Sequence, residues 1–546
     1  MKLGEVAIII PPDDSFREIN TAVPSLGVAV LSNFLEKNGY RTSVTDLARE
    51  AWLNPETGKA AAVFGDSARV GRYLAGNPDG EIELAAERLL RNVRPGDGVM
   101  LAFSMDLMPS YTKYGSMLCM AKYAKDRCGC ATVAGGLLYA EGLAELLRYD
   151  CIDYAVRSLD LYSFCGHYPL LRLCRALEGG ETGFSDIPGL MYKDGGKLYS
   201  NQPEDAETFF PPSFQRFDTD MYRVKTPARF LSRCGDRILV LPYRFSAGCP
   251  RNCGFCYNSR FGTSRRLEAQ RIVEDLGRLM SETGCRHFLF LNPCINITPA
   301  FSRDFAGAVI ESGMDLAWSD CAMFEGLDED VLELYVRAGC KRLYFGFESL
   351  TRNVKKYANK KLDLRHIGRV LNICRELSIW VGLDIITGLP GETREEMKKV
   401  AGFLVDNADT IDSVTVNEFK LYRHTGFHAS PEKFGIRPRE SDESSLKDAF
   451  GLPFDEIRGR TWEKICIDTK WGAQLIKAAF ESTHGYSNDS EMLPLLFGLY
   501  EKMRLKDEIR PVYRELVADY SKSSSVSEPA RSGPGKPEDK WPADRI

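Results

Sequence analysis

Two series of alternating β-strand and α-helix patterns predict an α/β protein with two parallel sheets along the 546-residue chain. Short β-branched runs of strand length, such as Val6–Pro11, are followed by stretches with apolar residues at helical spacing, such as Pro24–Asn38. Gly39 follows that first helical stretch directly, as expected at the end of a helix. This order of elements favours parallel strands that are joined by crossover helices.

The first series contains five strand–helix units and predicts a doubly wound, Rossmann-like parallel sheet over residues 1–180. Ligands of such sheets bind beyond the carboxyl ends of the strands. The strands are expected at Val6–Pro11, Arg41–Leu47, Gly98–Ser104, Ala131–Ala134 and Asp153–Arg157. The helices are expected at Pro24–Asn38, Glu81–Val93, Tyr111–Arg127, Gly142–Tyr149 and Tyr168–Leu177.

Residues 181–235 are predicted to form a linker between the two series. Within it, the segment Tyr192-Lys-Asp-Gly-Gly-Lys-Leu198 has the glycine pair that is typical of a tight β-hairpin turn. Pro203, Pro211 and Pro212 indicate irregular chain after this hairpin.

The second series has six units and suits a partial (β/α)6 barrel of the TIM type over residues 236–425. Its strands are expected at Ile238–Ser246, Arg286–Leu291, Leu316–Ser319, Arg342–Gly346, Trp380–Thr387 and Val414–Leu421. Residues 426–520 have a mostly helical pattern, and we expect this region to cover the mouth of the barrel. Residues 521–546 are rich in Ser, Pro, Gly and charge and are expected to be disordered.

The overall composition is that of a globular protein, with 44% hydrophobic and 27% charged residues. A net charge of −5 argues against electrostatic binding of nucleic acid. No apolar run reaches the length of about 20 residues that a membrane span needs. The N-terminal segment Met1–Pro11 lacks the features of a secretion signal. Sixteen cysteines without such a signal indicate reduced thiols and a cytoplasmic location.

Three cysteines stand close together in the segment Cys249-Pro-Arg-Asn-Cys253-Gly-Phe-Cys256, which follows the first strand of the second series. A [4Fe–4S] cluster normally takes four cysteine ligands, one for each iron. Three ligands leave one iron open, so that a small molecule can coordinate it and receive an electron. The alternative is a structural zinc site, but zinc sites favour paired CxxC units or Cys/His mixtures, and neither lies nearby.

With these cysteines in place, the chain resembles the radical S-adenosylmethionine (SAM) family whose members carry an N-terminal cobalamin-binding-like domain. The resemblance covers about residues 5–425. It implies that Cys249, Cys253 and Cys256 hold a [4Fe–4S] cluster. A reducing electron would then cleave SAM to methionine and a 5′-deoxyadenosyl radical, which takes hydrogen from an unactivated C–H bond.

Further segments of the barrel carry the same resemblance and imply contacts with SAM. Phe255 is the aromatic residue whose side chain packs near the adenine in the family. Glu348, in Tyr344-Phe-Gly-Phe-Glu348-Ser, resembles the glutamate that meets the amino group of SAM, and a carboxylate suits an ammonium group. The turn that begins with Thr387-Gly388 borders the SAM site in relatives. Asn292 stands after the second strand, where relatives have acidic or amide residues.

One departure from the family lies after the third strand of the barrel. Relatives often have an arginine there, whereas this chain reads Trp318-Ser-Asp320-Cys-Ala-Met323 with methionine at that place. If the arginine clamps the carboxylate of SAM in relatives, another residue must do so here, or the substrate side of the site differs. Asp320 is an alternative candidate for a contact with substrate, and a purely structural role for it is equally open.

The resemblance of the first sheet implies a cobalamin site. Gly27 stands in the Pro-x-x-Gly helix opening, and Gly135-Gly136 forms the fourth-strand turn that would let a corrinoid approach the backbone. The alternative is that these glycines serve tight turns of any such sheet. The chain has no Asp-x-His-x-x-Gly motif, so no lower cobalt ligand is assigned. It also has Arg157-Ser-Leu-Asp160 where relatives usually have Gly-Glu-Gly.

The leading functional prediction is a cobalamin-dependent methyltransferase that acts on an unactivated carbon or phosphorus centre. The first alternative is a radical SAM enzyme that performs cyclisation, rearrangement or oxidation without methyl transfer. A second alternative, from another class, is a cluster-bearing binding or redox-sensing protein without SAM turnover. The expected partners of the enzyme are a small-molecule substrate and an electron donor such as flavodoxin or ferredoxin.

Overall fold

The computed structural model describes the chain in two compact units, the first ending at Tyr222 and the second beginning at Arg223. The residues that it describes are 3–12, 22–93, 95–96, 98–105, 111–136, 140–157, 166–179, 183–204, 209–249, 251–256, 264–351, 357, 363–423, 425–439, 451–486 and 492–524. Within these ranges, no helix is both long enough and apolar enough to traverse a bilayer. The tail for which disorder is predicted lies almost entirely outside the described residues.

The first unit is built on one sheet, and its first five strands are parallel. The strands are β1 (Glu5–Ile10), β2 (Arg41–Asp46), β3 (Val99–Ser104), β4 (Ala131–Gly135), β5 (Tyr154–Val156), β6 (Leu190–Asp194) and β7 (Lys197–Ser200). Their order in the sheet is β2-β1-β3-β4-β5-β6-β7. The order in which the chain adds strands reverses between β1 and β3, as it does in a doubly wound sheet. The predicted fold class is therefore confirmed for this unit.

Helices connect the parallel strands of the first unit. They are α1 (Leu26–Lys37), α2 (Leu47–Leu53), α3 (Pro55–Ala62), α4 (Ser67–Leu74), α5 (Gly80–Leu90), α6 (Tyr111–Cys128), α7 (Ala140–Leu146) and α8 (His167–Leu177). Three of them, α2 to α4, are absent from the sequence prediction. Each has seven or eight residues and begins at a capping side chain, which is Asp46, Asn54 or Asp66.

The hairpin predicted within the linker forms as β6 and β7, and it belongs to the sheet of the first unit. Leu190 of β6 pairs antiparallel with Val156 of β5, and the Arg157 amide donates to the Gly189 carbonyl at 2.8 Å. Gly189 has a φ of +70°, and any side chain there would clash with the Arg157 carbonyl. Because the hairpin completes the sheet, the first unit extends to Tyr222 rather than ending at the expected residue 180.

The second unit contains six parallel strands in the order β15-β14-β13-β12-β11-β8. The strands of the second unit are β8 (Val240–Tyr243), β9 (Ser246–Ala247), β10 (Arg265–Arg266), β11 (His287–Phe290), β12 (Ala317–Ala322), β13 (Cys340–Glu348), β14 (Trp380–Thr387), β15 (Ser413–Glu418), β16 (Ile436–Pro438) and β17 (Phe454–Glu456). Its helices are α9 (Ala269–Thr283), α10 (Pro299–Ser312), α11 (Glu329–Arg337), α12 (Leu364–Glu376), α13 (Arg394–Asp406), α14 (Gly426–Ala429), α15 (Trp462–His484), α16 (Leu493–Lys502) and α17 (Lys506–Ser524). The predicted partial barrel is confirmed.

Alternate side chains of β13 show how the partial barrel is covered. Phe345 stacks on Phe324 with ring centroids 4.3 Å apart, and Phe347 stacks on Phe403 of α13 at 4.9 Å. Because Phe403 belongs to an outer helix, both strand residues face the outer side of the sheet. Because side chains alternate along a strand, Tyr344 and Gly346 face the concave side, on which polar and partly exposed residues of the neighbouring strands also lie.

The last two helices cover the amino ends of the barrel strands, opposite the mouth that the sequence led us to expect them to cover. The Tyr500 hydroxyl of α16 donates to the Ser378 carbonyl, just before β14, at 2.8 Å. Lys506 of α17 forms an ion pair with Asp412, just before β15, at 2.9 Å, and both side chains are at most 1% exposed. Arg510 binds the same carboxylate at 2.6 Å. The pairing of two cations of α17 with one buried anion determines which end of the barrel this helix covers.

Candidate functional site

The cysteine-bearing loop begins directly after β9, beyond the carboxyl end of β8. Its base is closed by antiparallel pairing of β9 with β10, in which Ala247 lies opposite Arg265. Cys253 is buried, with 8% of its surface exposed, and Cys249 and Cys256 are partly exposed. The loop is therefore held at the mouth of the partial barrel, where the active sites of such barrels lie.

Gly254 anchors this loop from both sides of its peptide backbone. Its amide donates to the Tyr357 carbonyl at 2.7 Å, and its carbonyl accepts from the Phe427 amide at 2.8 Å. A Cβ atom on Gly254 would lie 2.8 Å from Cε1 of Phe427 and 3.0 Å from Cζ of Phe434. Only glycine therefore lets the loop approach these two rings.

Phe255 lies against the same apolar surface. Its ring centroid is 6.4 Å from that of Phe427 in an edge-to-face arrangement. Phe427 in turn packs on Phe434 at 4.3 Å and on Phe419 at 5.4 Å. The segment after β15 thus supports the cysteine loop, and the contact of Phe255 with adenine stays a prediction.

The three thiols do not converge on one point. Among the residues that the structure describes, no three His, Cys, Asp or Glu side chains are arranged to hold a single metal ion. Ligands of one zinc ion must converge, whereas each thiolate of a [4Fe–4S] cluster binds a different iron. A pinned loop that carries three thiols therefore suits such a cluster, with one iron left open to a small molecule.

Asn292 supports the chain that leads into the cysteine loop. Its Oδ1 accepts from the amides of Phe245 and Ser246 at 3.1 and 2.9 Å, and its Nδ2 donates to Oδ2 of Asp320 at 2.7 Å. Burial raises the pKa of Asp320 to about 8, although the hydrogen bond from Asn292 opposes the shift. The structure gives Asn292 this supporting role, and its predicted contact with a cofactor stays a prediction.

Arg251, inside the cysteine loop, is a residue that the sequence reasoning missed. Its Nε donates to Sδ of Met323 at 3.0 Å, so it lies against the methionine that replaces the family's arginine. Nη2 of Arg251 also lies 3.8 Å from a carboxylate oxygen of Glu325. Arg251 and Met323 are 72 positions apart in the sequence, and no local pattern connects them.

Glu348 ends β13 with an unusual backbone conformation. Its φ is +65°, and the pairing of β13 with β14 shifts register between Gly346 and Glu348. A left-handed conformation costs a non-glycine residue roughly 1–2 kcal/mol, so the surroundings must impose it. Strain of this kind is concentrated at functional sites, which supports the sequence prediction for Glu348.

The turn after β14 packs against the neighbouring elements. Thr387 is fully buried, and its carbonyl accepts from the Phe419 amide at 2.8 Å. Gly388 has a φ of +85°, and a side chain there would clash with Thr469 of α15. The carboxyl group of Glu392 accepts from the Gly388 amide at 2.7 Å and from the Ser349 hydroxyl at 2.6 Å. This carboxyl joins the ends of β13 and β14.

In the first unit, glycines that the sequence analysis placed at a cobalamin site allow backbone segments to approach each other closely. The Met105 amide donates to the Gly135 carbonyl at 2.8 Å, and a Cβ atom on Gly136, whose φ is +85°, would clash with the Met105 carbonyl. Gly27 lies in the first turn of α1, which Ser25 caps. The loop residues 106–110, 137–139 and 158–165 lie outside the described residues, so binding of a corrinoid at this edge stays a prediction.

Fold and site together define a class of protein, in which a parallel partial barrel carries a three-cysteine loop at the carboxyl ends of its strands. Residues 243–404 match the sequence model of the radical SAM superfamily. The chain therefore contains a radical SAM domain. The prediction made from the cysteine spacing is confirmed at this level.

Two similar proteins are named for different activities. An uncharacterised methyltransferase of Pyrococcus horikoshii is 23% identical over 413 residues, which make up 74% of this chain and 78% of that protein. The anaerobic magnesium-protoporphyrin IX monomethyl ester cyclase of Cereibacter sphaeroides is 23% identical over 241 residues, or 43% of this chain and 38% of the cyclase.

Solved structures share the fold over most of the chain. The radical SAM methyltransferase TsrM from Kitasatospora setae, with cobalamin and a [4Fe–4S] cluster bound, has a TM-score of 0.58 and 15% identity, and the match covers 96% of this chain and 100% of TsrM. The cobalamin-dependent enzyme OxsB, with aqua-cobalamin and SAM bound, has a TM-score of 0.59 and 13% identity over 96% of this chain and 75% of OxsB. At these identities the similarity shows the fold.

Proposed function

We propose that this radical SAM enzyme is a cobalamin-dependent methyltransferase that acts on an unactivated carbon or phosphorus centre of a small molecule. The observation that carries the proposal is the three-cysteine loop pinned at the barrel mouth. The doubly wound sheet of the first unit and the fold shared with TsrM and OxsB support the cobalamin part. When bound, the cluster would supply the electron that cleaves SAM, and cobalamin would carry the methyl group.

The residues of the loop have separate tasks in this proposal. Cys249, Cys253 and Cys256 hold the cluster and leave one iron for SAM. Arg251 lies in the same loop and offers a guanidinium group to the carboxylate of SAM, a pairing that suits bidentate hydrogen bonding. The packing of Gly254 against aromatic rings holds the loop and helps to keep water from the cluster.

The carboxyl ends of β13 and β14 complete the proposed SAM site. Glu348 offers a carboxylate to the ammonium group of SAM. The turn at Thr387 and Gly388 brings backbone close to the ligand, and the lack of a side chain at Gly388 lets this turn pack against Thr469. An electron donor such as flavodoxin or ferredoxin would reduce the cluster. The described cysteines are free thiols, which accords with a reducing cytoplasmic location.

The test is anaerobic reconstitution of the full chain with iron, sulfide and hydroxocobalamin. The wild type is expected to bind a corrinoid, to form 5′-deoxyadenosine from SAM when reduced, and to transfer labelled methyl groups to a product. Replacement of any one loop cysteine by alanine should abolish formation of 5′-deoxyadenosine, whereas Cys466→Ala on α15 is the matched control and should retain it. Retained cleavage in a loop variant would refute the assignment of the cluster.

A radical reaction without methyl transfer is the second candidate, because part of the chain is similar to the magnesium-protoporphyrin IX monomethyl ester cyclase. The corrinoid spectrum separates the two candidates. Bound corrinoid together with methyl transfer supports the first proposal. SAM cleavage by a protein that retains no corrinoid supports the second.

A further inference from the structure

Glu392 is a buried acid that joins two turns at the mouth of the barrel. It is 2% exposed, and both oxygens of its carboxyl group are occupied. One accepts from the Ser349 hydroxyl at 2.6 Å, and the other accepts from the Gly388 amide at 2.7 Å. These two donors follow β13 and β14 respectively, so one side chain links the ends of adjacent strands.

The link lies beside the strained residue of the site. Ser349 directly follows Glu348, whose φ of +65° is unfavourable for any residue other than glycine. The Ser349 hydroxyl also accepts from the Thr351 amide at 3.3 Å, which extends the restraint along the chain. A hydrogen bond from the next residue to a fixed carboxyl group is a direct means of keeping Glu348 in this conformation.

No positive charge among the described residues compensates for the burial of the Glu392 carboxyl group. Among the residues that the structure describes, no cation lies within ion-pair distance of its carboxyl group. Glu396 of α13 adds a repulsive charge, and burial is the main reason why the pKa of Glu392 is raised to about 7. The nearby Glu456 of β17 accepts from the Gly391 amide and is paired with Arg460. A buried acid without a cation is costly, and such groups are concentrated at functional sites.

We propose that Glu392 is a positioning residue that holds Glu348 in place for the amino group of SAM. The inference rests on the proposed function, because it takes Glu348 as the residue that binds this group. Glu392 does not touch the ligand in this account. It acts on Glu348 through Ser349, and the Gly388 amide fixes the carboxyl group to which Ser349 donates.

The test compares two ligands on the anaerobically reconstituted full chain. SAM carries the amino group, whereas 5′-deoxyadenosine lacks the methionine part. Glu392→Ala and Ser349→Ala should each raise the Kd of SAM roughly tenfold, which corresponds to about 1.4 kcal/mol. The Kd of 5′-deoxyadenosine should stay unchanged, as should the iron content. Glu392→Gln should restore most of the affinity, since an amide can accept from Gly388 and donate to Ser349.

A double variant shows whether the effect passes through Glu348. If it does, adding Glu392→Ala to Glu348→Gln should weaken SAM binding little further, because coupled residues are not additive. Glu396→Gln is the matched control, since its carboxyl caps α13 and it should leave the Kd of SAM unchanged.

The possible failures are distinguishable. Variants that weaken both ligands equally, or effects that add fully in the double variant, would overturn the positioning role alone. If Glu392→Ala loses the cluster, Ser349→Ala decides, because it removes only the hydroxyl side of the link. A wild type with a full cluster that binds no SAM would overturn the proposed function and this inference with it.

Discussion

Substituting Gly254 by alanine is a direct test of how the cysteine loop is held. The added Cβ atom would lie 2.8 Å from Cε1 and 2.9 Å from Cδ1 of Phe427, and 3.0 Å from Cζ of Phe434. Carbon atoms in contact are about 3.5–4.0 Å apart, so the loop or the rings must move by roughly 0.5–1 Å. Both rings belong to a packed apolar cluster, and we therefore expect the loop to move.

The movement should be visible in the cluster content. Overpacking of this kind costs about 1–3 kcal/mol, and it strains the hydrogen bonds of Gly254 to Tyr357 and Phe427. After anaerobic reconstitution, Gly254→Ala should therefore hold less than about half of the wild-type iron and sulfide, with proportionally slower cleavage of SAM. Iron and sulfide analysis and the yield of 5′-deoxyadenosine are the measurements.

Two further variants make this experiment decisive. Gly307→Ala in α10 is the control, because its Cβ atom would meet no other atom within 4 Å and alanine favours a helix. Phe427→Leu in the Gly254→Ala background removes part of the obstructing ring and should recover cluster content. A Gly254→Ala protein with full iron, sulfide and activity would refute the claim that close packing of the rings holds the loop.

Three other substitutions test buried groups of the second unit. Asp320→Asn removes a carboxyl group whose pKa burial raises from 3.8 to about 8. Between pH 4 and 8 the folded wild type binds a proton that the unfolded chain has lost, so its stability should fall with rising pH by up to roughly 1.4 kcal/mol per pH unit relative to the variant. The same pH dependence of melting in both proteins would contradict this. Gly388→Ala, which meets Thr469, should raise the KM for SAM; an unchanged KM would count against the role of this turn. Lys506→Met leaves Asp412 with one cation fewer and should cost about 3 kcal/mol in thermal unfolding; a variant as stable as the wild type would argue against this ion pair.

Both sheets were predictable from the sequence because their strands alternate with helices long enough to show a period. The short helices α2 to α4 were not, since seven or eight residues span only about two turns. Their capping residues, such as Asp46 and Asn54, were the available signal. The position of α17 was not predictable, because it depends on the contact of Lys506 with Asp412, 94 residues away.

The site was predictable only where its residues lie close together in the sequence. The spacing of the three cysteines is local, and a match to the radical SAM superfamily bears out the class that it indicates. Contacts between distant segments were invisible to the sequence pattern. Examples are the bond from Ser349 to Glu392 across 43 residues and the contact of Arg251 with Met323 across 72 residues.

The ion pairs of Asp412 determine how far the folding unit of the radical SAM domain extends. The match to the superfamily ends at residue 404, before β15 and the three long helices that follow. A chain shortened near that point would lose the strand at the edge of the sheet, and one shortened after β15 would leave the carboxylate of Asp412 without Lys506 and Arg510. The helices at the end opposite the mouth are therefore part of this folding unit and not a separate addition to it. A unit that keeps both cations of Asp412 must include β15 and the first turns of α17, through Arg510.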